Sequence, residues 1–313
     1  MNADDDSTTA AAAAPVTAAE KCCASCGIAA IDDIKLEPCP HCDLVEYCSD
    51  ECQREDRQKH EAACKKRAAE LYDEILFKQP ESSCFGDCPV CFLPMPLELD
   101  LRKSVKQVCC SQKICNGCFY ANQAREFKER LKEHRCPFCR HLLPETEKEY
   151  EKLHVERTKL NDPIPLHSLG FKYHKRGDYE RAFHYYSKAA ELGSVEAMLN
   201  LSVMYHKGEG VEEDEDKGRA LMEKAAIAGH PDARYNLGVV EMENGRIDRA
   251  VKHWIIAANL GDDDSIKALK ECYKDKEGNI SKKAEFAAAL RANQAAVGET
   301  KSPQRETAEK QIF

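Results

Sequence analysis

Seventeen of the eighteen cysteines of this 313-residue chain lie between Cys22 and Cys139, and only Cys272 lies beyond them. A stretch so dense in thiols folds either as a disulfide scaffold or around metal ions. The disulfide reading needs a secretory route. Met1–Ser7 is acidic, and the Ala-rich run after it lacks both a basic segment and Leu/Val-type hydrophobicity, so it does not read as a signal peptide. No stretch approaches the ~20 consecutive apolar residues of a membrane span. The expectation is an intracellular chain, cytoplasmic or nuclear, without membrane attachment, whose thiols are kept reduced as metal ligands.

Along the chain, residues 1–20 are low-complexity Ala, Thr and Asp and read as a disordered tail. Residues 21–64 hold a first Cys/His cluster and 84–141 a second. Residues 65–83 between them are expected to be a helical linker that breaks at Pro80. Residues 142–162 form a charged, helix-prone connector, and 298–313 a tail.

Residues 163–297 repeat themselves. "KAAELGS" from Lys188 returns as "KAAIAGH" from Lys224 and as "IAANLGD" from Ile256. The longer first interval contains "GEGVEED" from Gly208, an extended loop between two helices. Each unit pairs Leu-Gly or Leu-Ser in one helix (Leu169-Gly170, Leu201-Ser202, Leu237-Gly238) with a small residue in the next (Ala182, Gly218, Ala250). Small residues there let helices approach closely, with Tyr173, Tyr186 and Trp254 filling the space beside them. The pattern resembles the SEL-like branch of the tetratricopeptide superfamily. The expected fold class is therefore small zinc-stabilised α+β modules followed by an all-α solenoid of helix-turn-helix repeats.

In the first cluster, Cys23-x2-Cys26, Cys39-x2-Cys42, Cys48-x3-Cys52 and His60-x3-Cys64 make four ligand pairs. A Cys-x2-Cys turn brings both sulfurs to one ion at about 2.3 Å, and i, i+4 spacing puts the last two pairs on one helical face. Eight ligands make two closed tetrahedral sites, the mark of structural zinc. Cys22 is a second candidate for the first position, but the x2 spacing favours Cys23. The order, with "EYCSDECQ" and "HEAAC", resembles a MYND finger. That resemblance implies interleaved pairing: Cys23, Cys26, Cys48 and Cys52 on one ion, and Cys39, Cys42, His60 and Cys64 on the other. Members often bind short Pro-containing peptides in a groove beside this helix, near the position of Gln53. Arg57 stands where the family usually has a Trp, which removes a stacking surface for proline.

The second cluster has Cys88-x2-Cys91, Cys109-Cys110, Cys115-x2-Cys118 and Cys136-x2-Cys139. It resembles a RING finger, whose cross-brace implies Cys88, Cys91, Cys115 and Cys118 on one zinc and Cys109, Cys110, Cys136 and Cys139 on the other. Gln112 stands where most RING domains have a ligand His, so the adjacent thiols Cys109 and Cys110 supply the second pair. The expectation is four Zn2+, with Cys22, Cys84 and Cys272 as non-ligands. The RING resemblance also implies a docking surface for a ubiquitin-conjugating enzyme at Val90, Pro137 and Arg140, where the planar guanidinium would bridge the two proteins. Taken whole, the order of modules resembles a group of algal proteins that share segments such as "CPVCFLPMP" and "CNGCFYAN".

Other chemistries fit less well. The formal charge is −9, and fifteen ligating thiolates on four Zn2+ lower it to about −16. That leaves no overall electrostatic footprint for nucleic acid. Lys103–Arg140 is locally basic, with nine Lys/Arg against three Asp/Glu, but two four-thiolate zinc sites offset most of that excess. MYND fingers also occur in lysine methyltransferases, yet no cofactor-binding Gly-rich segment or Asn-His-Ser-like run is present, and no Ser/His/Asp or paired-carboxylate constellation stands out. The ten His residues other than His60 read as packing or surface residues. Two functions follow from the sequence. One is a zinc-structured adaptor that binds proteins or peptides through the MYND-like finger and the concave face of the repeats. The other is a ligase in which the second module recruits a conjugating enzyme and the repeats select its substrate.

Overall fold

The structure, a computed structural model, describes residues 22–26, 35–97, 103–274 and 282–311. The expected disordered tail at 1–20 lies outside them. The chain divides into two compact units, 1–75 and 76–313.

The first unit is built on a minimal hairpin, β1 (Glu37–Pro38) paired antiparallel with β2 (Glu46–Tyr47), followed by α1 (Asp50–Leu76), whose last residue belongs to the second unit. Its core is Cys23, Cys39, Cys42 and Tyr47, with Leu36 and Val45 packed against them. So little hydrocarbon cannot offset the chain entropy of ordering the loops. Tyr47 adds a polar tie, its hydroxyl donating to Asp56 at 2.9 Å. Helix α1 is polar on most of its surface and is laced by pairs at helical spacing, Arg54–Glu51, Lys65–Glu61 and Lys66–Glu70. Arg67 reaches back with a bidentate grip on Asp43, at 2.7 and 2.9 Å.

The second unit opens with the C-terminal end of α1. Leu76 is buried among Ala225, Ala226, Ala233 and Leu237, and its carbonyl accepts from the fully buried guanidinium of Arg234. A cation at a helix C-terminus meets both the orphan carbonyls and the macrodipole. The helix expected in 65–83 is thus the end of α1, and residues 77–83 are irregular and tied to the repeats, with Asn259 donating to Gln79 at 3.0 Å. The second cysteine module follows: β3 (Ser104–Lys106) paired antiparallel with β4 (Lys113–Cys115), then α2 (Asn116–Lys128). Helix α3 (Glu147–Lys159) begins with a reciprocal capping box between Thr146 and Glu149.

Six helices of thirteen residues each then pair as hairpins: α4 (Pro163–Lys175) with α5 (Tyr179–Glu191), α6 (Val195–Lys207) with α7 (Glu215–Ile227), and α8 (Pro231–Glu243) with α9 (Ile247–Asn259). Most begin with an Asp or Ser whose oxygen accepts from the first turn, as at Asp162, Ser194 and Asp214. The close approaches expected from small residues are present. Gly170 faces the ring of Tyr186, Gly218 meets the carbonyl of Ser202, and Gly238 lies under Trp254. Tyr173 differs, since it stacks on Tyr185 at the edge of the core with ring centroids 5.4 Å apart.

The turns between repeats are covered by the chain itself. The N–H of Cys84 donates to the carbonyl of Gly229 at 3.1 Å, the ring of Phe85 meets His230, and Lys113 pairs with Glu196 at 3.6 Å. Gly229 is needed for this crossing, because its φ is +87° and a Cβ there would come within 2.7 Å of the Ser82 carbonyl.

Helices α10 (Asp263–Cys272) and α11 (Lys283–Glu299) close the far end of the array. The last sixteen residues, expected as a tail, contain α12 (Pro303–Gln311), and α12 packs on α2 of the second cysteine module. Gly117 of α2 meets Gln304 and Arg305, and Ala121 and Ala124 line a shallow hollow with Pro303, Thr307 and Ala308. No apolar stripe announces such a contact in the sequence.

Candidate metal centres

Four groups of ligand atoms lie within 4.8 Å of one another: Cys23, Cys26, Cys48 and Cys52; Cys39, Cys42, His60 and Cys64; Cys88, Cys91, Cys115 and Cys118; and Cys109, Cys110, Cys136 and Cys139. All sixteen candidate ligands from the sequence are in these groups, and Cys22, Cys84 and Cys272 are in none. In each module the first pair joins the third and the second joins the fourth.

The donor sets fit zinc. A tetrahedral ion with Zn–S of about 2.3 Å holds its sulfurs about 3.8 Å apart. The sulfur separations are 3.5 Å for Cys26–Cys48, 3.8 Å for Cys39–Cys64, 3.8 Å for Cys91–Cys115, 3.4 Å for Cys109–Cys139 and 3.9 Å for Cys110–Cys136. A disulfide would need about 2.05 Å, and all eighteen cysteines are free. Thiolate and imidazole donors in closed sets of four match structural zinc, so each cluster could hold one ion.

Local electrostatics point the same way. The Cys88 sulfur is pulled down to about 4 by hydrogen bonding from Cys115, which more than offsets burial, and the N–H groups of Cys115, Cys91 and Val90 add to it. The partner Cys115 is pushed up by the same contact and by burial. At Cys23 burial acts upward, but N–H groups of Cys26, Cys48 and Ser25 bring it down to about 6. Thiols packed this closely cannot all ionise beside one another. A divalent cation removes that conflict and displaces the protons.

The backbone builds these sites with a recurring turn. In Cys88–Phe92 the Phe92 N–H donates to the Cys88 carbonyl at 2.8 Å, and in Cys136–Arg140 the Arg140 N–H donates to the Cys136 carbonyl at 3.0 Å. Each turn is closed by a bridge at the same offset, Asp87 to Pro94 and Arg135 to Leu142. Phe92 and Arg140 both take the left-handed conformation, with φ of 56° and 63°. Cys109 and Cys110 lie in the tight connection of the β3–β4 hairpin, where the N–H of Ser111 donates to the Gln107 carbonyl at 2.7 Å. Gln112 is exposed beside them.

One detail departs from expectation. Cys48 and Cys52 do not share a helical face, because Ser49 accepts from the N–H of Cys52 at 3.3 Å and α1 starts only after Cys48. The pair still converges, since Cys48 lies in the turn that leads into the helix. His60 and Cys64 do lie on one face of α1, and the His60 Nε2 is 3.1 Å from the Cys42 sulfur.

Beside α1 the first unit opens a cleft of about 410 Å3, lined by His41, Tyr47, Gln53, Arg57, His60 and Ala68 among others. Gln53 and Arg57, the two positions singled out in the sequence, both border it. At the tips of the second module Val90 is 38% and Phe138 46% exposed, equivalent positions of the two matching turns. Pro137 is half-buried, and Arg140 donates to Asn122 Oδ1 at 3.2 Å. Of the other histidines, His230 and His253 are buried in the repeats and His174 pairs with Glu209 at 2.9 Å. Among the described residues no helix is long and apolar enough to cross a membrane. Sequence reasoning missed Arg305, whose guanidinium lies 3.5 Å from the Cys91 sulfur. With the two 214 positions apart, no motif could have signalled it.

Comparison with known proteins supports the first finger and the repeats. Residues 23–64 match the MYND finger family, and residues 166–194, 195–230 and 231–262 each match the Sel1 repeat. DAP3-binding cell death enhancer 1 of Mus musculus is 27% identical over 156 residues, covering 37% of this chain and 31% of that protein. Its Rattus norvegicus counterpart is 28% identical over the same shares. The chain thus spans about a third of the length of these curated relatives. Among solved structures, a Sel1 repeat protein from Oxalobacter formigenes is similar with a TM-score of 0.41 and 22% identity, over 49% of this chain and 66% of that one. The protective antigen c5321 of uropathogenic Escherichia coli gives 0.42 and 21%, over 55% and 42%. The chain carries a MYND finger and three Sel1 repeats, with a second region of clustered cysteines between them.

Proposed function

We propose that this protein is a protein-interaction adaptor held in shape by four structural zinc ions, and that the MYND finger binds a peptide in the cleft beside α1. The observation that carries this reading is the cleft itself. It is a concavity of about 410 Å3 on the ligand-bearing helix, bordered by Gln53 and Arg57. Most small-peptide sites are concave and largely preformed. Arg57 brings an aliphatic stem and a fork of donors in place of a ring, which suits a peptide with hydrogen-bond acceptors beside its apolar residues. The Sel1 repeats would supply a second contact surface. That surface offers the exposed apolar side chains of Phe171, Leu192, Ile227 and Ile247. Protein binding is also what the name of the rodent relatives records. The test is selection of displayed short peptides on the zinc-loaded full chain. The expected result is an enriched motif whose binding is lost in Gln53→Ala and Arg57→Glu. Enrichment that ignores both substitutions would overturn the assignment to the cleft.

A second reading is favoured by the exposed apolar side chains of Val90 and Phe138 at equivalent knuckle positions. Such residues would suit the docking of a ubiquitin-conjugating enzyme, with Pro137 beside them and Arg140 near the contact. Zinc-dependent chain formation across a panel of conjugating enzymes, abolished by Val90→Ala and weakened by Arg140→Ala, is the expected result. No chains with any enzyme would remove this reading.

A further inference from the structure

Arg305 is 6% exposed, although it belongs to a short polar helix some two hundred residues after the cysteines it approaches. Its Nη1 donates to the carbonyls of Pro94 at 2.7 Å and Thr300 at 2.5 Å. Its Nη2 donates to the Leu93 carbonyl at 3.2 Å and to the Cys91 sulfur at 3.5 Å. The residue therefore grips the loop that leaves the first cysteine pair of the second module and one ligand of that pair. The approach is exclusive, because a Cβ at Gly117 would come within 2.8 Å of the Arg305 backbone nitrogen. Gly117 stands between the ligands Cys115 and Cys118, so α12 is fitted against the second half of the same cluster.

A set of four thiolates around Zn2+ carries a net charge of about −2. Buried in protein, that charge is stabilised by N–H donors and by nearby cations, and Arg is suited to both because it stays ionised and presents a fixed fork. Partners of this kind orient metal ligands and moderate their reactivity.

We propose that α12 is a clasp on the zinc site of Cys88, Cys91, Cys115 and Cys118, and that Arg305 is the positioning residue through which it slows loss of that ion. This rests on the four-zinc reading above.

The experiment uses the full-length zinc-loaded chain with a chromogenic chelator, reading both the number of ions released and their rates. The wild-type chain is expected to release four, the ion of this site among the slow ones. Arg305→Ala should release one of the four about 10–100-fold faster and leave the other three unchanged. Gly117→Val should do the same by pushing Arg305 off the site while leaving the guanidinium and every ligand in the sequence. Arg305→Lys should restore part of the wild-type rate, since it keeps the charge and loses the fork. With Co2+ in place of zinc, Arg305→Ala should shift a thiolate-to-cobalt charge-transfer band to lower energy, because a sulfur stripped of its donor gives up electrons more readily. A purely structural helix would leave that band in place. Four ions released at wild-type rates from both Arg305→Ala and Gly117→Val would overturn the clasp and leave the four-zinc reading standing. A wild-type chain that holds only two ions would overturn both.

Discussion

Gly238 lies under the indole of Trp254, so close that a methyl group there would meet Nε1, and the indole N–H donates to the carbonyl of Tyr235 at 3.2 Å. Glycine in a helix costs up to about 1 kcal/mol relative to alanine, whereas overpacking a filled core costs about 1–3 kcal/mol. The second effect wins here. Gly238→Ala is expected to lower stability by about 1–2 kcal/mol, and Gly170→Ala, under Tyr186, by a similar amount. Gly298→Ala has open space around it in α11 and should be neutral or slightly stabilising. Chemical denaturation of the three variants reads these opposite signs directly.

Glu241 is buried in α8; its carboxylate accepts from Arg246 and from Arg219 at 3.4 Å, and forms an ion pair with Arg249 at 3.5 Å. One acid thus ties helices α7, α8 and α9 together. The three guanidiniums are partly exposed and can regain water, so the loss on truncation is smaller than for a sealed pair. Glu241→Ala should cost about 2 kcal/mol, and Glu241→Gln less. A melting curve of the repeats would show no change if the cluster were only a surface decoration.

Metal removal should divide the molecule sharply. The helices from α4 to α9 carry no candidate ligand and bury their own cores, whereas the first unit has a core made mostly of thiols. Excess chelator at neutral pH is expected to leave most of the far-ultraviolet helical signal while amides of β1, β2, β3, β4 and α2 lose hydrogen-exchange protection. Helix α1 should fray as well, because three of its residues are candidate ligands and its surface is polar.

Glu126 supplies a pH-dependent term. Burial pushes its carboxyl upward, but His134 Nδ1 at 3.0 Å, the Arg135 N–H at 3.2 Å and Asn122 Nδ2 at 2.8 Å hold it below the usual glutamate range. A carboxylate with a lowered folded value contributes stability that is complete above its unfolded value of about 4.3 and is lost as pH falls through the folded one. Titration of the carboxyl carbon by NMR should place Glu126 below the solvated glutamates. A midpoint above 4.3 would mean that burial prevails over the hydrogen bonds.

The cysteine pairs and the repeat periods were legible because both are local codes. A Cys-x2-Cys turn and a Leu-Gly helix contact each fit within a few residues, so Cys88, Cys91, Gly170 and Gly238 could be singled out in advance. The cleft was anticipated only through the MYND resemblance, which pointed to Gln53 and Arg57. Contacts of long range were not. Nothing near Cys84 announces Gly229, and nothing in "PQRETAEKQ" announces Gly117, because those contacts use backbone atoms and absent side chains rather than a hydrophobic pattern. The start of α1 was misjudged because a hydroxyl cap at Ser49 decides it, and i, i+4 spacing does not reveal which residue ends the preceding turn.

The packing of α12 on α2 also sets an order of events during synthesis. The second cysteine region leaves the ribosome before the three Sel1 repeats, and the helix that packs on α2 emerges only after them. Until then the face formed by Gly117, Ala121 and Ala124 is bare. A chain interrupted in the repeats keeps that face open, so the fit of α12 on α2 is reached only by a chain that has already made the helices between them.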